Sequence, residues 1–297
     1  EEMDGKRIRG LARPAPLGAE LSAAQLDDML RLAVELGGGR RGGLVTAIGR
    51  EDWVAVKVAA GGAHPGENSD PRIVAGVLRY LLEQGLGKRF TIVDTALPAE
   101  YREMAAGFAR KHAARFDVVE TGSAPMLEMP VEGRVFAKQN RGGMYRIPRL
   151  LRECDKVISI APLATRPRTG VALSMMNYLG FSPTAAERNA PGDPGEAAVD
   201  LFSFQPAAYA VVGGTLASES DGGAGSRPRR HNVIVAGTSA PAVDAVAAAV
   251  MGFESTSIRH LDLAVRQGYG LNDADSIWTR GSEAALVKAA FRQPPRA

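Results

Sequence analysis

Cysteine is almost missing: Cys154 is the only one in 297 residues. A single thiol excludes an intrachain disulfide, a cysteine-rich zinc site and an iron–sulfur cluster ligated by this chain alone. Cys154 precedes the apolar run KVISI, where a small buried thiol is its simplest role. Histidine is scarce too. His64, His112, His231 and His260 are scattered, with no His-x-His or His-x-x-x-His pair, so spacing assigns no metal site. No apolar run reaches the roughly 20 residues that cross a bilayer, and no membrane span is expected.

An excess of one charge is also lacking. Lysine and arginine number 36 against 33 acidic residues, a net charge of +3. Nucleic-acid proteins concentrate basic residues on one face or stripe. The dense clusters here, Arg40–Arg41 and Arg227, Arg229, Arg230, lie in Gly- or Pro-containing loops as solvated charge or as a contact for phosphate. A nucleic-acid partner is therefore not expected. Three motifs are absent as well: a phosphate loop ending in Gly-Lys-Ser/Thr, a GxGxxG after a strand, and the GxSxG elbow of nucleophilic serines. GGGRRGG and DGGAG are glycine-rich but match neither phosphate motif. No motif names a cofactor or an oligomeric state.

What is present is enough apolar content, 45%, for a sizeable core. Residues 1–20 lack periodicity and read as an extended arm. A helix is expected over 22–36, where Ser22 and Gln25 match a capping box and Leu26, Met29, Leu30, Ala33 and Val34 recur at helical spacing before Gly37. Beyond Trp53, short apolar runs alternate with amphipathic segments. WVAVKVAA, FTIVDT, FDVVET, KVISI, YAVVGG and NVIVAG read as strands. Helices are expected over 70–85, with Asp70 as cap and Pro71 first, and over 98–114, 241–251 and 256–267. The Pro- and Gly-rich stretch 182–206 reads as an excursion from the core.

This alternation predicts an α/β fold: a mostly parallel, doubly wound, Rossmann-like sheet with helices on both faces, plus an N-terminal helical arm. The expected division is an arm and helix over 1–49, one α/β domain over 50–281, and a tail over 282–297.

In such a sheet, ligands bind beyond the carboxyl ends of the strands. The first strand delivers Lys57 and the loop GGAHPGENSD with His64 and Glu67, and the second delivers Asp94 and Thr95. KVISI runs into APLATRPRTG with Thr165, Arg166, Arg168 and Thr169, and NVIVAG into Thr238 and Ser239. Each has a plain structural alternative. Lys57 in an apolar strand either snorkels at an edge or is buried with a partner, for which Asp94 is the nearest candidate. Asp94 could simply start a turn, His64 could be solvated, and Asp244 suits the positive end of the helix after Ser239. The expectation is that Lys57, Asp94, Thr165, Arg166, Arg168, Thr238 and Asp244 converge on one cleft. Lys57→Met is then expected to abolish anion binding while leaving the fold intact.

The segments VAVKV (54–58), DPRIVAGVLRYLLEQG (70–85), CDKVISIAPLATRPRTGVALSMMNYLG (154–180) and HNVIVAGTSAPAVDAVAAAVMGF (231–253) resemble the domain-of-unknown-function 362 proteins of bacteria and archaea. The likeness extends over residues 53–281. It implies a fold and a shared site rather than a reaction. Matching the family's polar pattern are Lys57, Asp94, Thr165, Thr169, Gly170, Asn177, Glu219, Asp221, Asn232 and Asp244. The resemblance also implies departures. Ala59 stands for an asparagine, Ala164 and Met176 for lysines, Arg166 for a histidine, and Gly213 and Ala240 for aspartates. Some members carry an iron–sulfur domain, which one cysteine does not permit here.

The resulting expectation is an enzyme for a small anionic substrate, a carboxylate or phosphate. Lys57 and Asp94 would supply acid–base chemistry, with Thr165, Arg166, Arg168, Thr169, Asn177, Thr238 and Asp244 binding the substrate. The alternatives are a non-catalytic anion-binding protein with a degenerate site, and a structural or interaction protein. The first residues, EEMDG, lack an initiator methionine. With the export habit of some relatives, this sets the expectation of a periplasmic or otherwise exported protein, the cytoplasm being the alternative.

Overall fold

The computed structural model describes residues 17–38, 43–130, 144–188, 192–220 and 225–294. Arg40–Arg41, Asp221, most of the N-terminal arm and the end of the tail lie outside the described residues.

The main sheet has a parallel part of β1 (Trp53–Val58), β2 (Arg89–Asp94), β3 (Arg115–Glu120), β6 (Lys156–Arg166) and β8 (Ala207–Ser220), to which β10 (Ile234–Gly237) adds at one edge. Its order is β10-β8-β6-β1-β2-β3. β4 (Met126–Pro130) and β5 (Met144–Pro148) form a separate antiparallel pair. β7 (Gly170–Ala172) folds back on β6 and β9 (Ser226–Arg229) on β8.

Both faces of the sheet are covered. On one face, α1 (Ala23–Leu36), α2 (Pro71–Glu83) and α3 (Ala99–Ala109) pack with Val54, Val56, Ile92 and Ile158. Short α4 (Leu150–Glu153) and α5 (Ala185–Arg188) precede the helices of the other face, α6 (Pro194–Phe204), α7 (Ala240–Val250) and α8 (Arg259–Arg266). There Ala55, Val93 and Val157 meet Phe202, Ala247 and Leu261, and one-turn α9 (Ala284–Val287) ends the described helices. Adjacent β1 residues thus enter different cores, the two-residue period of a strand buried on both sides. The fold is α/β, mostly parallel, with helices on both faces.

Local chemistry places these elements. Ser22 and Gln25 form the capping box of α1 in both directions. Leu26, Leu30 and Val34 are buried, and a Cβ on Gly76 would sit 2.3 Å from Leu30 Cδ2, so that glycine lets α1 lie against α2. Asp70 caps α2, accepting from the Arg72 N–H at 2.9 Å, with Pro71 in the first turn where no donor is needed.

Two expectations are corrected. β10 (Ile234–Gly237), the NVIVAG strand, runs antiparallel to β8, so its carboxyl end points away from those of β1, β2, β6 and β8. β9 pairs antiparallel with β8, no helix stands among the described residues between β8 and β10, and a parallel neighbour would require a crossover. The stretch 182–206 is not an excursion: it contains α6, capped by Asp193, with Ala198 and Leu201 wholly buried. Within 98–114 the helix ends at Ala109, and within 256–267 it begins at Arg259.

Candidate functional site

β1 carries Lys57 beside Ser159 of β6, in register on the face that holds Ala55. It is wholly buried: Lys57 is 0% exposed. Its Nζ donates to Asp94 Oδ1 at 2.8 Å, to Asn177 Oδ1 at 2.9 Å and to the Val58 carbonyl at 2.6 Å. Three acceptors use three hydrogens, which only the ammonium form supplies. Burial pushes the Lys57 ammonium below the usual lysine range. The charge and hydrogen bond of Asp94 oppose that shift, and Arg188 repels in the same direction as burial. The other oxygen of Asp94 accepts from the Ala60 N–H at 2.5 Å. Lys57 is therefore the partnered lysine of the two readings.

A two-turn 3₁₀ segment, Met176–Phe181, lies over this pair. It contributes Asn177, whose Nδ2 also lies 3.1 Å from the Lys57 and Ile160 carbonyls and from Ser159 Oγ. It also contributes Gly180. A Cβ there would stand 2.4 Å from Asp94 Oδ1 and 2.5 Å from Lys57 Nζ, so backbone alone fits above the ion pair. The Phe181 ring centroid is 5.7 Å from Nζ. Behind this segment lies Asp244 in α7, wholly buried. Its carboxylate accepts from the Ser174 N–H and Oγ–H at 2.9 and 2.6 Å, and from the Met175 N–H at 2.8 Å. Burial pushes the Asp244 carboxyl up to about 7, against the pull of these hydrogen bonds. Ser159 Oγ, donating to the Ser174 carbonyl at 2.9 Å, joins the two groups of residues.

Above the ion pair opens a cleft of about 520 Å³. Lys57 and Asp94 reach its floor, and Glu67, Arg166, Arg168 and Arg188 are among its walls. Arg166 ends β6, opposite Gly170 in the β6–β7 hairpin, and Arg168 occupies the turn with φ 71°. Arg168 Nη2 donates to the Gly192 carbonyl, and Arg188 Nη1 donates to that of Ser182 at 2.9 Å.

Lys57, Asp94, Arg166, Arg168, Thr169 and Asn177 share this cleft. The other three expected site residues do not. Thr165 points away from it and accepts from the Ser220 N–H at 2.7 Å. Asp244 stands behind the 174–181 segment, bound to its backbone rather than sitting at the positive helix end. Thr238 follows β10 to a different cavity, because that strand runs the other way. Of the other polar positions implied by the resemblance, Glu219 pairs with Arg229 at 2.7 Å and Asn232 donates to the Ala19 carbonyl at 2.7 Å.

Gly180, Ser159, Ser174 and Arg188 were not expected at the site. Gly180 is legible only as one more glycine, and its neighbours come from more than 80 residues upstream. Among the described residues, no group of three or more His, Cys, Asp or Glu side chains could hold a metal ion.

Fold and site define an α/β protein with a cationic cleft beyond the carboxyl ends of its parallel strands. The family model described as domain of unknown function (DUF362) matches residues 54–249. The chain belongs to that family. No curated protein matches it. Among solved structures, the lactate racemase apoprotein from Thermoanaerobacterium thermosaccharolyticum is similar at 11% identity and a TM-score of 0.40. That match covers 72% of this chain and 52% of the other, so the chain spans about half its length.

Proposed function

We propose that this protein binds a small anion, a carboxylate or a phosphate, in the cleft above Lys57 and Asp94. One observation carries the reading: Arg166, Arg168 and Arg188 line the same cleft, where with Lys57 they make four cationic groups against two anionic ones, Glu67 and Asp94. Guanidinium groups match carboxylate and phosphate oxygens in both charge and geometry. Lys57 does not hold the ligand itself, since its three hydrogens are already taken. It fixes the floor.

Binding without turnover is the better supported form. Four of the six positions where the family resemblance implies a lost or changed polar group, Ala59, Ala164, Arg166 and Met176, line this cleft. Three of these four cannot transfer a proton.

Calorimetric titration at low salt with sulfate, phosphate and small carboxylates tests the reading. Binding is expected, and Arg166→Gln or Arg188→Gln should weaken it roughly tenfold or more, the worth of one charge-assisted hydrogen bond. No binding of any of these anions would overturn it.

A second reading, an enzyme, is favoured by one feature: Asp94 reaches the cleft beside a lysine whose proton is weakened by burial. A time course by NMR on mixed hydroxy, keto and amino acids and phosphate esters separates the two. Conversion that disappears in Asp94→Asn would establish turnover.

A further inference from the structure

The buried carboxylate of Asp244 is the least explained group in the molecule. It touches no part of the cleft, and among the described residues no lysine, arginine or histidine pairs with it. Its partners are Ser174 and Met175. Those two residues begin the segment that continues through Asn177 and Gly180, and the contact crosses from α7 to a stretch 70 residues earlier in the chain.

The tethered segment is short. Two residues beyond Met175, Asn177 accepts from Lys57 Nζ, and three further on Gly180 packs against both members of the ion pair. A shift of this segment by a fraction of an ångström would therefore disturb the cleft floor, on which Leu173, Met176, Asn177, Leu179 and Gly180 also border. We propose that Asp244 is a positioning residue of the anion cleft. Its carboxylate holds the Ser174 and Met175 amides and so fixes the turn whose Asn177 and Gly180 close over Lys57 and Asp94. The proposal rests on the anion-binding reading of that cleft.

Protonation is the natural way to loosen such a clamp. An ionised carboxylate accepts all three hydrogens, whereas a carboxylic acid carries a hydrogen of its own facing three donors. With the Asp244 carboxyl pushed up to about 7 by burial, its ionisation falls in the neutral range. The clamp should tighten as pH rises through that range and loosen as it falls.

Other ionisable groups nearby are accounted for. In α8, Arg259 pairs with Asp193 and Glu196, Arg266 with Asp262, and His260 feels Asp193 rather than Asp244. In β8, Glu219 pairs with Arg229. In the cleft, Glu67 accepts from the His64 N–H at 3.1 Å. Loss of the Lys57 proton would weaken binding in alkali, the opposite sign.

The test uses the full chain and sulfate, whose charge does not change over the range. Affinity is measured by calorimetry at pH 5.5, 7 and 8.5 for the wild type, Asp244→Asn and Ser174→Ala. Amide hydrogen exchange over 174–181 is followed in parallel. Sulfate binding by the wild type should strengthen with pH. Asp244→Asn should weaken it about tenfold to a hundredfold at pH 8.5, the scale of a sub-ångström misplacement, flatten its pH profile and speed exchange at Ser174 and Met175. Ser174→Ala, which keeps both amide bonds, should give a smaller loss and serves if Asp244→Asn does not fold. Binding with the same pH profile in the wild type and Asp244→Asn would overturn the clamp and leave the cleft reading standing. Absence of binding of sulfate, phosphate and small carboxylates alike in the wild type would instead overturn the cleft reading. Exchange then decides the clamp alone: unchanged protection over 174–181 in the variants would overturn it.

Discussion

Two cavities of similar size flank the sheet and share almost no chemistry. The cleft beyond β1, β2 and β6 encloses about 520 Å³ and is lined by charged groups of both signs. The cavity along β10 encloses about 440 Å³, and its walls are chiefly apolar, with Met29 and Leu36 from α1, Val243 and Val246 from α7, and Ile277. Strand direction separates them. Parallel strands deliver their following loops to one edge, so polar groups far apart in sequence accumulate there. β10 runs the other way and carries Thr238 out of that company. Composition alone does not distinguish a strand that feeds the site from one that leaves it.

The sharpest way to break the contrast is to remove the charge at the cleft floor. Lys57→Met leaves Asp94 buried without its cation, and a loss of about 3–5 kcal/mol is expected, read as a lower urea midpoint at unchanged slope. This replaces the expectation that the fold would be untouched, because Lys57 is wholly buried. A loss under about 1 kcal/mol would show that the pair is not an essential part of the core.

Gly180→Ala should come next, at about 1–3 kcal/mol, the usual penalty for overfilling a packed site. The new methyl would collide with Asp94 and Lys57, and thermal denaturation measures the effect. Thr238→Val should do far less. Stability should stay within about 0.5 kcal/mol and sulfate affinity should not change. A weakened affinity would place Thr238 back in the site. Smallest of all is the native reactivity of Cys154. Burial pushes its thiol up to about 12, so alkylation at pH 8 should await unfolding, and labelling of the folded protein would contradict that burial.

Much of the fold was legible, for physical reasons. Runs such as WVAVKV and FTIVD, buried on both faces, are apolar without alternation and can hardly be anything but interior parallel strands. The helix starts at Ser22 and Asp70 announce themselves through their caps. The direction of β10 was legible in principle, since residues 215–231 offer no helical periodicity for a crossover. α6 was hidden because Pro194 and Gly195, which read as breakers, occupy its first turn, where proline is tolerated.

The site divides in the same way. Lys57 stood out as a charge in an apolar strand, and Asp94 as the next strand's end. Asn177 lies 120 residues from Lys57, and only the folded backbone shows that it completes the lysine's hydrogen bonds. Asp244 was visible as a carboxylate in an apolar helix, but its partners 69 and 70 residues away were not.

The β6–β7 turn bears on how long a bound anion would stay. Arg168 holds a φ of 71°, a left-handed conformation that costs a non-glycine residue about 1–2 kcal/mol, and its guanidinium is anchored to the Gly192 carbonyl. A loop that became ordered only on contact would surrender its freedom at that moment and bind more weakly for it. Here the hairpin pairing and the Gly192 contact set the turn, so on the proposed reading an anion would meet it preformed. Differences among variants of this turn should therefore appear in residence time, with the rate of arrival governed by the cleft's positive field.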